Sequence, residues 1–571
     1  MSKIDIHEYF KLPIYYNSKK KEIHKNIVTN LELTTNIDEA EVSIYKHIFS
    51  PTHIFGENML EAFGQYYTTD IRFLKDTQKM LKTYKIFQNT KDFGPYEFQN
   101  ILQAWNEIKG ETGFCEKYLY IDWDFGKFLN KNPVFLQAMS IYNITSPILS
   151  LFLPIFILII PFFIIKLKGL DVNMNEYIDI LKIIISNHAI GKIFTSFNEV
   201  DNGQKIYLLI SAAFYIFSIY QNILICIRFY SNAKKIHDYL FTFKEYLDYT
   251  ILSMDSYLAT TNKLTSYHSF NNEVNQHKNI LLEFKQNIDI ITPFCLSFTK
   301  ILEIGHILQI FYELYDNVVY NESILYSFGY HGYIDNINGI QSHIKNKRIN
   351  SAKFFKKDTK KAPVFINAYY PTLIQKNPVK NSCTLDSSII ITGPNASGKT
   401  TLLKTTLINV ILTQQFGYGC YQKADILPYD FIHCYLNIPD TSGRDSLFQA
   451  EARRCKEIID SIEKNSNKTH FCVFDELYSG TNPEEAIMSG VAFLEYLTKY
   501  EYVTCILTTH FVEICKAMNK KMKNYNMQTI KEDDTFKYTY ILQEGISEIK
   551  GGIKVLRDLN YPIEIINKTK L

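Results

Sequence analysis

Residues 388–400 read SIIITGPNASGKT, and the fold follows from this stretch. Ser388–Thr392 is a short β-branched run, long enough for one buried strand and too short for a helix. It leads directly into Gly393, Pro394, Asn395, Ala396, Ser397, Gly398, Lys399 and Thr400, then Thr401 and the helical segment TLLKTTLINVILTQQF. This is G-x-x-x-x-G-K-[ST] with a strand before it and a helix after it. Gly393 and Gly398 let backbone N–H groups curl around a β-phosphate, and the helix N-terminus adds its positive dipole end. Lys399 neutralises β and γ oxygens, and the Thr400 hydroxyl suits Mg²⁺. ATP with Mg²⁺ is the expected ligand, bound across 393–401.

Downstream, THFCVFDEL (469–477) is a second apolar strand, ending in Asp475 and Glu476. An acidic pair at a strand end is ordinarily just solvated. Beside a phosphate loop, Asp475 suits the Mg²⁺ shell and Glu476 suits the water that attacks the γ-phosphate. A third strand, YVTCILTTH, ends at His510, where a γ-phosphate sensor is wanted. Alternating strands and helices over 362–560 predict a parallel α/β P-loop domain.

Upstream the pattern is helical. The chain of 571 residues predicts two to four structural units. Residues 1–40 are polar and weakly patterned, and are expected to be loosely ordered. Residues 41–144 show helical periodicity, and 228–344 read as long helices. Residues 345–361 (KNKRINSAKFFKKDTKK) carry eight basic residues against Asp358, which reads as a solvated linker or as contact with anionic lipid or nucleic acid.

Two charge-free runs stand out. Residues 145–165 include SPILSLFLPIFILIIPFFII and are followed by Lys166 and Lys168; residues 206–227 are bracketed by Lys205 and Arg228. Each has the roughly 20 apolar residues that a membrane span needs. Together, with the loop 166–205, they predict a two-helix transmembrane hairpin in a multi-pass membrane protein, with both termini and the ATPase domain cytosolic. Pro147, Pro154 and Pro161 share one face at heptad spacing. Neighbouring helices, or Ser146 and Ser150, are expected to serve the carbonyls that prolines free.

The net charge of +2 argues against a strongly basic nucleic-acid binder. The ten cysteines show no metal-ligand spacing, so no zinc site or disulfide framework is expected. The N-terminus shows no pattern of a cleaved leader.

From Tyr370 to about Met518 the sequence resembles the MutS family of DNA mismatch-repair ATPases. GPNASGKT is similar to the family's GPNMGGKS, including Asn395. LPYDFIHCYLNIPDTSGRDSLFQAEARR resembles P-x-D-x-I followed by G-x-S-x-F-x-x-E, which places Asp430, Ile432, Ser446, Phe448 and Glu451. DELYSGTNPEEA resembles the family's acidic strand end, closest to the branch that can carry an endonuclease domain. The resemblance implies a homodimer, with Ser446 reaching the partner's γ-phosphate in trans, and implies DNA as a partner. Phe55-Gly56-Glu57 matches the family's mismatch-reading tripeptide, without a reader domain around it. No endonuclease domain is expected after His510. The leading function is therefore a membrane-anchored, MutS-like ATPase related to mismatch repair. The alternative class is a membrane-remodelling or transport-coupled ATPase without DNA binding.

Overall fold

Ile389, Ile390 and Ile391 are fully buried, and the strand they form sits inside a sheet covered on both faces. The computed structural model describes residues 6–36, 38, 41–85, 96–110, 112–169, 173–187, 201–295, 297–357, 359, 361–436, 446–532, 535–549, 556–557 and 559–568. The chain divides into two compact units, one of residues 1–88, 252–278 and 324–571, the other of 89–251 and 279–323.

In the first unit a two-stranded ribbon pairs β1 (Lys20–Glu22) with β2 (Tyr66–Thr68). A mixed sheet holds β3 (Asn350–Phe354), β4 (Val364–Ala368), β5 (Asn381–Thr384), β7 (Tyr418–Gly419) and β8 (Lys423–Ile426), in the order β5-β4-β8-β3-β7. The main sheet holds β6 (Ile389–Thr392), β9 (Phe431–Tyr435), β10 (His470–Asp475), β11 (Val503–Thr508), β12 (Lys523–Glu532) and β13 (Thr535–Glu544). Its order is β13-β12-β6-β11-β10-β9, parallel except for β12 against β13. The register Asp475↔Thr508 and Ile391↔Thr508 brings the C-terminal ends of β6, β10 and β11 to one edge. That edge is where α/β sheets place ligands.

The helix Lys399–Phe416 after β6 is buried on nearly every face, so it shows no polar stripe. Its far end is covered by the N-terminal segment: Phe416 lies 5.4 Å from Phe49 and 5.5 Å from Phe63, ring centre to ring centre. Buried Gln415 donates to the carbonyls of Phe63 and Tyr66, and Gln414 to those of Tyr429 and Thr68. Two expectations are corrected here. The segment 1–40 is not loosely ordered over its described part, because Ile6, Phe10, Leu12, Ile27, Leu31 and Leu33 are core residues. The stretch 345–361 is not a linker throughout: residues 350–354 form β3, paired with β7 and β8. Phe55 is also buried, stacked on Phe328 at 4.6 Å, so the Phe-Gly-Glu tripeptide has no aromatic ring free to enter a base stack.

The second unit is helical. The helix Pro133–Leu167 starts with proline at its first position, and the Asn132 side chain caps the N–H groups of Val134 and Phe135. It packs on the helix Phe298–Asp316, where Gln137 donates to the Ile301 carbonyl at 2.7 Å and accepts from the Gly305 N–H at 2.9 Å. A Cβ on Gly305 would meet the Pro133 carbonyl oxygen at 2.3 Å, so only glycine permits this approach.

The first helix runs unbroken through Pro147, Pro154 and Pro161. Proline at i removes the donor to the carbonyl at i−4. The carbonyl freed by Pro147 is that of Asn143, and Ser146 Oγ donates to it at 3.3 Å. The carbonyl freed by Pro154 is that of Ser150, and the Tyr215 hydroxyl donates to it at 3.0 Å from the helix Asn202–Thr261. A contact of Cys226 Sγ with the Ile144 carbonyl sets these two helices antiparallel. Ile148, Phe152, Ile160 and Phe163 on the first helix, and Phe214, Ile216, Phe217 and Tyr220 on the second, are exposed.

By length and composition, Asn202–Thr261 is the one helix among the described residues that meets the requirement for crossing a membrane. The expected pair of spans is therefore shown only for its second member, and several side chains of 145–165 lie outside the described residues. Of the segment between them, Met174–Asn187 is helical, and 188–200 lie outside the described residues.

Candidate nucleotide-binding site

The loop 393–398 leaves the C-terminal end of β6 and closes on the helix Lys399–Phe416. Three of its residues have left-handed backbone: Gly393 (φ 152°), Ala396 (φ 64°) and Gly398 (φ 95°). Glycine at 393 is also a matter of space, because a Cβ there would lie 2.8 Å from Ser397 Oγ. At 398 a Cβ would lie 3.0 Å from the Tyr540 ring. Ser397 Oγ is buried without a hydrogen-bond partner among the described residues, and Asn395, Ala396 and Thr401 are exposed at the mouth.

Lys399 is buried, and its ammonium donates to the carbonyls of Gly393 (3.0 Å) and Pro394 (3.2 Å). Burial lowers its pKa, while the carboxylates of Glu476 and Asp475 act the other way. Two neutral carbonyls hold the cation in a place where phosphate oxygens are stronger acceptors.

Asp475 ends β10 between two hydroxyls. Thr400 Oγ1 donates to its Oδ2 at 2.9 Å, and Thr508 Oγ1 donates to its Oδ1. A hydroxyl and a carboxylate oxygen side by side, next to a lysine, form a hard-oxygen donor set of the kind Mg²⁺ takes together with substrate phosphates. The residues fit the ion.

Glu476 follows in left-handed backbone (φ 51°), with its N–H donated to the Thr508 carbonyl at 3.0 Å. Its carboxylate lies 3.4 Å from His510 Nδ1, and both side chains are partly open to solvent. The hydrogen bond from His510 lowers the Glu476 pKa, with a further contribution from the Lys399 charge, against the opposing effect of burial. The structure therefore brings together Lys399, Thr400, Asp475, Glu476 and His510, drawn from three strand ends.

Ser446 stands elsewhere in its hydrogen bonding. It is exposed at the N-cap of the helix Leu447–Lys464, where Ser446 Oγ accepts from the Gln449 N–H and Gln449 Oε1 accepts from the Ser446 N–H. Residues 437–445 before it lie outside the described residues. Asp430 joins two strand starts, accepting from both the N–H and the hydroxyl of Thr469 at 3.1 Å. Ile432 is buried, and the Phe448 ring packs 5.6 Å from that of Tyr478. Sequence reading gave no role to Thr508, although it is the first threonine of the T-T-H turn. Glu451, noted only as a motif position, proves to be a buried carboxylate that accepts from Ser479 and Gly480 in the loop after Glu476, with the Tyr435 side chain beside it.

A phosphate loop and an acidic strand end on the C-terminal edge of a parallel sheet define an ATPase-type α/β domain. Residues 389–571 match the family model for MutS domain V. A DNA mismatch repair protein MutS from Persephonella marina is 27% identical over 208 residues, which is 35% of this chain and 23% of that protein. An Endonuclease MutS2 from Clostridium novyi is 31% identical over 213 residues, 36% of this chain and 26% of that protein. A second Endonuclease MutS2, from Staphylococcus haemolyticus, is 26% identical over 245 residues, 42% of this chain and 30% of that protein. The likeness to the MutS family is thus carried by the C-terminal third of this chain. The chain spans less than a third of the length of each of these relatives.

Proposed function

We propose that this chain is a membrane-anchored, Mg²⁺-dependent ATPase of MutS type, active as a dimer. The observation that carries the enzymatic part is the convergence of Lys399, Thr400, Asp475, Glu476 and His510 on one sheet edge. The loop N–H groups of 393–398 and the N-terminus of the following helix bind the phosphates of ATP. Lys399 moves from the loop carbonyls to the β and γ oxygens. Thr400 and Asp475 would hold Mg²⁺, which when bound supplies further neutralisation of the charge on those oxygens. Glu476 orients and polarises the attacking water, the new bond forms from water oxygen to Pγ, and ADP leaves with the bridging oxygen. His510 steadies the Glu476 carboxylate and faces the γ-phosphate. Ser446, exposed at its helix N-terminus, completes the site of a second copy.

The likeness to DNA mismatch repair proteins supports DNA as the partner and mismatch repair as the setting. The exposed apolar faces of 145–165 and 206–227 support anchoring in a bilayer as a hairpin, with both chain ends on the cytosolic side.

The test uses the full chain in detergent. Hydrolysis of ATP should require Mg²⁺ and vanish in Lys399→Ala; Mg²⁺-independent turnover, or turnover surviving that change, overturns the enzymatic reading. Binding to mismatched duplex should weaken steeply between low and moderate salt. Absence of binding at low salt removes DNA from the proposal and leaves the ATPase standing.

A further inference from the structure

The loop that carries Glu476 does not hold its shape through its own sequence. Glu476 (φ 51°) and Tyr478 (φ 56°) are both non-glycine residues in left-handed backbone, a conformation that persists only where the surroundings impose it. The residues that follow directly are held by Glu451, on the helix Leu447–Lys464. Its side chain is buried, with the residue only 2% exposed. Oε1 accepts from the Ser479 N–H at 3.1 Å and from Ser479 Oγ at 2.9 Å, and Oε2 accepts from the Gly480 N–H at 3.1 Å. Among the described residues no cation pairs with this carboxylate, so its desolvation is offset by three donors of one loop and by the Tyr435 side chain, an arrangement that tolerates little displacement. The Tyr435 hydroxyl fixes the same loop by accepting from the Tyr478 N–H at 3.3 Å. Gly480 is seated against the first turn of the helix: a Cβ there would lie 2.7 Å from Leu447 Cγ and 2.8 Å from the Phe448 nitrogen.

We propose that Glu451 is a positioning residue for hydrolysis, a clamp that aims Glu476 by holding the loop 478–480 against the helix that Ser446 caps. The inference rests on the reading of Glu476 as the group that polarises the attacking water. It also gives Ser446 a consequence in its own subunit. The hydroxyl and the clamp occupy the same first two turns of one helix, so a pull on Ser446 by a partner's nucleotide is felt by the loop that carries Glu476.

The experiment compares Glu451→Gln, Ser479→Ala and the wild type in the full-length chain, by steady-state ATP hydrolysis and by hydrogen exchange over 476–480. Glu451→Gln should lower kcat by about tenfold or more while KM for ATP stays within about twofold. Ser479→Ala, which removes one of the three contacts, should act in the same direction with smaller effect, and it serves if the first variant does not fold. In a Glu476→Gln background, Glu451→Gln should cause no further loss, since the clamp acts only through the residue already removed. Unchanged kcat in both single variants, losses that multiply in the double variant, or a parallel fall in ATP affinity would each overturn the clamp. If the wild type hydrolyses no ATP, the catalytic reading fails by itself. The clamp is then judged by exchange, which should be slow over 476–480 in the wild type and fast in Glu451→Gln; equal exchange rejects it.

Discussion

The Tyr215 hydroxyl donates to the Ser150 carbonyl, the acceptor that Pro154 deprives of its intrahelical donor. A side chain on one helix thus repairs the backbone of another. Tyr215→Phe should destabilise the chain by about 1 kcal/mol, the usual size of one interhelical hydrogen bond in an apolar setting. Pro154→Ala restores the missing N–H, and in that background Tyr215→Phe should be almost neutral. Thermal unfolding of the four variants in detergent reads the difference; equal losses in both backgrounds would show that the two residues act independently.

Glu476→Gln keeps the shape of the site and removes the carboxylate. Hydrolysis should fall by about 100-fold or more, with ATP still bound. Retained nucleotide should hold the chain as a dimer, visible by light scattering with ATP and lost with ADP. Steady-state turnover at the wild-type level would show that another group activates the water.

The pH dependence of hydrolysis has a defined sign. Because the His510 hydrogen bond lowers the Glu476 pKa, the carboxylate persists to lower pH than an ordinary glutamate, near 4.3. The acid limb due to Glu476 should therefore lie below that value, and His510→Ala should move it upward. A limb that stays in place in His510→Ala would separate the two residues.

Stability should fall on acidification because of a histidine pair. His433 Nε2 and His470 Nδ1 lie 3.1 Å apart, and His470 Nε2 lies 3.0 Å from the Asn465 carbonyl. That carbonyl can only accept, so neutral His470 donates from Nε2 and accepts from His433 at Nδ1. Burial, then His470 and Arg454, push the His433 pKa down to about 3, and burial also lowers that of His470. Below about pH 6.5 the unfolded chain binds protons that the folded chain refuses. The contribution is thus full above pH 6.5 and declines toward pH 3. The slope of stability against pH should be shallower in His433→Asn, and an identical slope would exclude the pair as its source.

Carbonate extraction with protease protection tests the anchor. The chain should stay with the membrane fraction, both termini should be digested from the cytosolic side, and a chain lacking 145–227 should be released. Release of the intact chain would remove the membrane reading.

The nucleotide loop and the acidic strand end were legible because their chemistry is local: backbone turns, a lysine and a hydroxyl must follow one another in sequence. The mixed sheet of β3, β4, β5, β7 and β8 was not legible. Its strands are short, and Asn350–Phe354 lies in a run of lysines, so charge concealed a strand whose partner, β8, lies some seventy residues away. The N-terminal segment was misread for a related reason. Ile6, Phe10, Leu12 and Ile27 have no clean period, and Phe10 is buried against Phe270, Tyr326 and Tyr333 from distant helices. Thr508 and Glu451 were hard to assign because their partners are known only once the strands are ordered. In the proline-bearing helix, Ser146 at the Asn143 carbonyl supplies part of the repair that the sequence predicts.

The helix Asn202–Thr261 has one further consequence. Within the second unit it holds the exposed apolar side chains of 206–227 and the buried Phe243, Tyr246 and Leu247 in a fixed angular phase. Inserting a single residue near 235 would rotate one set against the other by about 100° and shift it by about 1.5 Å. Removing seven would keep the phase to within about 20° and shorten the rod by about 10 Å. The spacing between those two faces is therefore set in whole turns, and length variation in this stretch is expected in steps that preserve the phase.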